Sequence, residues 1–208
     1  VLPDVEVDWI RQSQAGNSYA FSQLVEIYQT PVYNLCYRML GDAYEAEDAA
    51  QEAFLRAYKS IDSYDPGRSF STWLLSIAAH HCIDQIRRRR MTIVPFEALP
   101  YEEVPDPAPN PESSVTTHEE QRRVQALLGA LNPTDRAAMI MLYWYDYSYE
   151  EISDALDLSV SAVKSRLHRA RKELAQTLRD QMSQNHVVEG KTHGKSAKSS
   201  AIRSLVIL

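Results

Sequence analysis

Apolar residues recur along this chain at spacings of three and four, the period of an amphipathic helix, and no stretch alternates as a half-buried strand would. Trp9 and Ile10 open one stripe. Gly16-Asn17 interrupts it, and Ser18 stands ready to cap a helix whose face includes Phe21, Leu24, Val25 and Tyr28. Pro31 fits the first turn of a further helix carrying Val32, Leu35, Cys36, Met39 and Leu40, which Gly41-Asp42 ends. The next helix, from about Tyr44 to Tyr58, buries Ala46, Ala49, Ala50, Ala53, Phe54 and Ala57. Its opposite side shows Glu45, Glu47, Asp48, Gln51, Glu52 and Arg56. Alanine both favours the helix and lets a neighbour approach closely. Asp62 to Arg68 is a loop by its turn chemistry. A helix capped by Ser69 or Ser71 follows, buries Trp73, Leu74, Ile77, Ala78, Cys82, Ile83 and Ile86, and ends in Arg87 to Arg90.

Between residues 92 and 118 the pattern is lost. Six prolines there exclude a helix or a central strand, and the stretch holds five acids and no base. Periodicity returns with Val124, Leu127, Leu128 and Leu131, stops at Asn132-Pro133, and resumes from Ala137 to Tyr145. Ser148-Tyr149-Glu150-Glu151 has the capping-box spacing and opens a short helix with Ile152, Ala155 and Leu156 inward. Asp157-Leu158-Ser159 turns the chain into a long helix whose buried stripe is Val163, Leu167, Ala170 and Leu174. Two helices joined by such a short turn form a helix-turn-helix pattern, although the glycine often found in that turn is missing. The pattern predicts an all-α fold of two small helical domains. Their bounds are 1–91 and 119–184, with an acidic proline-rich linker at 92–118 and a basic tail, expected to be disordered, at 185–208.

Charge sharpens this picture. The chain of 208 residues carries a net charge of -6, which excludes a simple basic DNA-coating protein and makes any positive charge a local feature. It is concentrated in Arg87 to Arg90 and in Lys164 to Lys172. In the second cluster Lys164, Ser165, His168, Arg171 and Lys172 fall away from the apolar stripe, and Glu173 is the only acid from Ser159 to Arg179. A solvated, salt-bridged helix would need more acids than that. Both helices therefore read as nucleic-acid surfaces. Near the first, Tyr64, Phe70 and Trp73 bracket the loop. Exposed rings beside phosphate-binding charge suit an unstacked strand, and burial in a helical bundle is the competing reading of the same rings.

Enzyme chemistry finds no support. His80-His81 with Cys82 is the sole His/Cys cluster, and adjacent helical residues point apart, so no metal is expected there. The six glycines form no phosphate loop, and no cofactor is expected. Cys36 and Cys82 read as buried free thiols of a reducing compartment. No apolar run reaches the length of a membrane span, so the expected location is cytoplasmic, without membrane insertion.

Two long motifs resemble one family. Ala46-Glu47-Asp48-Ala49-Ala50-Gln51-Glu52-Ala53-Phe54-Leu55-Arg56-Ala57-Tyr58, with Phe70-Ser71-Thr72-Trp73-Leu74 and the arginine run, is similar to the −10-binding domain of bacterial RNA polymerase sigma factors of the extracytoplasmic-function type. Tyr149-Glu150-Glu151-Ile152 and Val163-Lys164-Ser165-Arg166-Leu167-His168-Arg169-Ala170-Arg171 resemble its −35 reader. The resemblance implies a non-catalytic promoter-specificity subunit whose partners are core RNA polymerase (the beta-prime clamp helices and the beta flap), promoter DNA and an anti-sigma factor, which could hold it near the membrane. It assigns Asp48, Gln51, Glu52 and Arg56 to core polymerase. It assigns Tyr64, Phe70, Trp73, His80, His81, Arg87 and Arg88 to the −10 element, with the loop Ser63 to Phe70 taking a flipped base. Ser161, Ala162, Lys164, Ser165, Arg166, His168, Arg169 and Arg171 would meet the −35 element, and the linker would thread toward the RNA exit path. His80-His81 and Ser161-Ala162 replace residues usual in the family. A stand-alone helix-turn-helix regulator would explain 119–184 and leave the first domain idle.

Overall fold

The computed structural model describes residues 3–92 and 114–189, and every regular element among them is helical. They are α1 (Pro3–Gln14), α2 (Ser18–Leu40), α3 (Ala43–Ser60), a 3-10 turn (Ile61–Ser63), α4 (Phe70–Thr92), α5 (Ser114–Ala130), α6 (Pro133–Trp144), α7 (Tyr149–Leu156) and α8 (Val160–Glu189). The chain divides into two compact units between Gly129 and Ala130. Most of the expected linker, and the tail from residue 190, lie outside the described residues. Both neighbouring helices run further than expected. After Pro111 nothing in the sequence prevents a helix, and α5 starts at Ser114; α8 meets no glycine or proline before Gly190.

In the first unit α2 packs against α1, α3 and α4, and α3 against α4. The expected break at Pro31 does not occur: α2 is one helix of 23 residues with the proline inside it. An internal proline removes a backbone hydrogen bond and costs about 3 kcal/mol. Here one continuous face on both sides of it, Ala20, Phe21, Leu24, Val32, Leu35, Cys36 and Met39, is buried and offsets that loss. Asn17, rather than Ser18, caps α2 by accepting from the Tyr19 and Ala20 amides. The alanine face of α3 is buried at Ala46, Ala49, Ala50, Ala53 and Ala57, as its periodicity requires.

Helix α5 is grouped with the first unit, not at the head of the second as its sequence position suggests. Gln125 Nε2 donates to the carbonyls of Tyr37 and Arg38, 3.1 Å each, in the last turn of α2, where helical carbonyls lack partners. Gly41 ends α2 at φ +82°, and a Cβ there would lie 3.0 Å from Gln125 Nε2. The glycine is needed both for its backbone and for this approach.

In the second unit α6, α7 and α8 pack against one another. Asn132 caps α6 with Pro133 in its first turn, and Ser148 and Glu151 close a full capping box on α7. Asp157 ends α7 in the left-handed conformation, φ 54° and ψ 49°, at the place where a glycine was missing from the turn. Ser159 then accepts from the Ala162 amide and starts α8. Val163, Leu167, Ala170 and Leu174 are buried along it.

Candidate nucleic-acid and polymerase interfaces

The outward side of α3 begins with side chains that cannot be buried cheaply. Asp48, Gln51 and Arg56 are exposed and Glu52 is half-buried. Glu52 accepts from Arg56 Nε at 2.7 Å, one helical turn on. That hydrogen bond, more than any other influence, holds the Glu52 carboxyl below its ordinary pKa. Between these polar groups lies Leu55, 54% exposed. The charge pattern alone does not single it out; its signal is an apolar residue at a position whose helical phase is polar.

The loop after α3 rests on rings, and of the two readings of those rings burial describes Tyr64 and Phe70. Tyr64 and Phe70 are 5% and 3% exposed, so they are not open stacking platforms. Tyr64, Phe70 and Trp73 form a mutual cluster with centroids 5.1 to 5.5 Å apart, and Tyr28 of α2 adds to it at 5.4 Å from Phe70. The reason is hydrophobic: α1, α2 and α4 converge here, and large rings fill the space. Trp73 alone of the three is half-buried. The Tyr64 hydroxyl donates to Arg68 O, the Asp65 carboxylate accepts from the Gly67 amide at 2.9 Å, and Arg68 N donates to Asp65 O. Burial pushes the Tyr64 phenol up, keeping it a donor. From the other side Gln14 Nε2 donates to both Ile61 O and Tyr64 O at 3.1 Å. The exposed residues 65–69 thus sit on a braced aromatic floor.

On α4 the two histidines part company. His80 is exposed, with Nδ1 2.8 Å from Ser76 O. His81 turns toward α3 and is half-buried beside a cleft of ≈ 480 Å³ that it shares with Gln85, Arg88 and Arg89. Burial, with Arg56 and Arg88 nearby, lowers its pKa, and Glu52 and Asp84 only partly oppose this. Arg87 to Arg90 are all exposed. Arg89 pairs with Glu45 at the start of α3, and Arg87 lies 4.0 Å from Asp84. Deeper in the bundle the thiols of Cys36 and Cys82 are wholly buried and free. Their mutual hydrogen bond and then burial push the Cys36 thiol far up, so it is inert.

The second unit separates the expected −35 residues into two groups. Ser161, Lys164, Ser165, His168 and Arg169 are exposed, with Lys172 continuing the same face, and Ala162 is half-buried. Arg166 and Arg171 instead turn to the body of the unit. Arg166 Nη1 donates to Asp135 Oδ1 of α6 at 2.7 Å, with the two side chains 29% and 11% exposed. Arg171 Nε donates to the Tyr143 hydroxyl at 2.9 Å, and its guanidinium lies 5.8 Å from that ring. Burial works against the Arg171 charge, but hydrogen bonds with Tyr143 and Tyr149 more than offset it. Lys164 Nζ lies 5.7 Å from the Tyr149 ring. Asp135 stands just ahead of the apolar run of α6, and its burial is what calls for a cation such as Arg166.

Two family models match: Sigma-70 region 2 over residues 24–92 and Sigma-70, region 4 over residues 121–174, the second beginning within α5. The ECF RNA polymerase sigma factor SigW of Bacillus subtilis is 39% identical over 178 residues, covering 82% of this chain and 95% of the relative. The chain belongs to the ECF sigma factors of the sigma-70 family. The ECF sigma factor SigX of the same organism is 30% identical over 188 residues, 87% of this chain and 97% of the relative. The solved structure of CnrH in complex with the cytosolic domain of CnrY aligns with a TM-score of 0.64 and 26% identity, covering 85% of this chain and 99% of that one. As an ECF sigma factor the protein is a promoter-specificity subunit without catalytic activity of its own. The matched regions hold α3, the loop, α4 and the helices from α6 into α8; α1 lies outside them. No helix among the described residues is long and apolar enough to cross a membrane.

Proposed function

We propose that this ECF sigma factor docks on the beta-prime clamp helices of core RNA polymerase through the outward side of α3, where Asp48, Gln51, Glu52 and Arg56 surround Leu55. The exposed 65–69 stretch of the loop takes an unstacked base of the −10 element. The rings of Tyr64 and Phe70 act from below, by shaping the loop, and Trp73 is the ring with a face to offer. His80, Arg87 and Arg88 follow the DNA along α4, while His81 acts from the cleft behind. In the second unit α7 and α8 form the helix-turn-helix. Helix α8 enters the major groove of the −35 element, where Ser161, Lys164, Ser165 and His168 meet base edges and the Ala162 methyl can touch a thymine. Arg169, Arg171 and Lys172 meet phosphates, and the beta flap receives this unit on the polymerase.

The observation that carries this reading is the two-faced character of α8. One side is buried along Val163, Leu167, Ala170 and Leu174, and the other presents Ser161, Lys164, Ser165, His168 and Lys172 to solvent. The solved complex of CnrH with the cytosolic domain of CnrY supports an anti-sigma factor as a further partner, and the cytoplasm as the site of action. We take 1–91 and 119–184 as the functional domains, with the segment between them as a tether displaced by RNA; α5, which starts at Ser114, itself packs with the first unit. Run-off transcription with purified core polymerase, with start sites mapped over a promoter library, tests the whole. Specific initiation dependent on the −35 and −10 letters is expected. Strong specific DNA binding by the free protein, with no initiation in the presence of core, would favour the stand-alone regulator and overturn this reading.

A further inference from the structure

Two cations of α8 lie on tyrosines supplied by other helices. Lys164 sits over Tyr149, the first residue of α7, and Arg171, seven residues further along, sits over Tyr143 near the end of α6. Tyr143 does more than offer a ring. Its hydroxyl accepts from Arg171 Nε, which fixes the plane of the guanidinium. A guanidinium has five N–H donors in a rigid fork, so with Nε on Tyr143 and a further hydrogen bond to Tyr149, N–H groups of the terminal nitrogens are left over for another acceptor. Arginine otherwise loses much side-chain entropy when it grips an anion. An arginine already held in place loses less. Arg169 and Lys172, by contrast, are exposed.

We propose that Tyr143 is a positioning residue for DNA binding: it holds the Arg171 guanidinium so that the N–H groups it leaves over clamp one backbone phosphate beside the −35 element. This rests on the seating of α8 proposed above. The ligand is a phosphate diester, whose two free oxygens match the fork and carry no sequence information. Neither the composition of α8 nor the family match points to Tyr143, which stands in a different helix 28 residues earlier.

The test uses the full chain with core polymerase and a promoter duplex, reading affinity against salt. Each phosphate contact contributes about 0.9 to the slope of log affinity against log salt. Extrapolated from 1 M to 0.15 M salt, losing one contact lowers affinity roughly fivefold. Tyr143→Phe keeps the ring and removes the acceptor. It is expected to lower the slope and the affinity by part of that amount, equally at every −35 sequence. Arg171→Ala is expected to lose the full contact, and the double variant to lose no more than Arg171→Ala alone, because the tyrosine acts through the arginine. Arg171→Lys keeps the charge without the fork and should behave like Tyr143→Phe. Additive losses in the double variant, or a changed preference for −35 letters, would overturn the proposal. So would an unchanged slope in Tyr143→Phe, even if that variant melts earlier. Arg169→Ala and Lys172→Ala separate the two levels. If they lower the slope while the Tyr143 and Arg171 variants do not, α8 lies on DNA and only this clamp is wrong. If none of the four changes it, α8 is not on the DNA and the proposal falls with the reading beneath it.

Discussion

The ion pair between Arg166 and Asp135 makes the sharpest distinction between fold and recognition within one basic helix. Its carboxylate is 11% exposed and its guanidinium 29%. An exposed pair is worth about 0–1 kcal/mol, whereas breaking a buried one by removing a partner costs about 3–5 kcal/mol. This pair lies between, nearer the buried limit on the aspartate side. Asp135 also stands in the first turn of α6, where the helix N-terminus favours an anion by about 0.3–1 kcal/mol and softens the loss. Arg166→Ala is therefore expected to destabilise the second unit by about 2–3 kcal/mol. For a helical unit of this size that lowers its melting temperature by about 10 °C or more. Calorimetry of the full chain reads the melting, and hydrogen exchange at α6 and α8 amides reads this unit alone. A cycle with Asp135→Ala and the double variant should give a coupling of about 1.5–3 kcal/mol. Well below the melting temperature, the salt slope of promoter binding by the holoenzyme should not change. Intact stability together with a slope lower by about 0.9 would put Arg166 on a phosphate and refute the argument.

Two further outcomes follow from local chemistry. His81 has a folded pKa below the ordinary value near 6.5, so the unfolded chain binds its proton first. The first unit should hold its full stability from this group above that pH and lose it as pH falls toward the depressed value; His81→Asn should flatten the decline in pH-dependent denaturation, and a decline of unchanged slope would exonerate His81. Asp157 holds a left-handed conformation that costs a branched residue about 1–3 kcal/mol. Urea titration should show Asp157→Val destabilising by that order and Asp157→Gly neutral or stabilising, whereas equal effects would mean the turn does not constrain φ.

Periodicity made most of the helices legible, because burial of one face is what makes a short helix persist in water. The cap at Ser148 could be read for a related reason: few residue types satisfy a helix N-terminus. Pro31 misled because its local cost was weighed without the long apolar face that overrides it. The rings stayed open between two readings for a different reason. A sequence gives ring identity and spacing, but whether Phe70 faces solvent depends on Tyr28 of a helix more than forty residues away. The charges of Arg166 and Arg171 are visible in sequence, but their partners Asp135 and Tyr143 belong to another helix, so the ion pair and the hydrogen bond that hold them were not. That Lys164 and Ser165 are exposed was legible because only the phase of their own helix decides it.

Helix α1 bears on how this protein can be cut. The region 2 match begins at residue 24, yet Ile10 and Ser13 are buried, Glu6 accepts from the Tyr28 hydroxyl, and Gln14 spans the two carbonyls at the entrance of the 64–69 loop. A fragment trimmed to the match would also lose Ala20 and Phe21 from the buried face of α2. Such a fragment would keep every residue assigned to the −10 element and still present the loop on a loosened floor. Melting defects measured on it would then report the missing brace, not the residues under study, and a fragment meant to isolate promoter opening should begin ahead of Pro3.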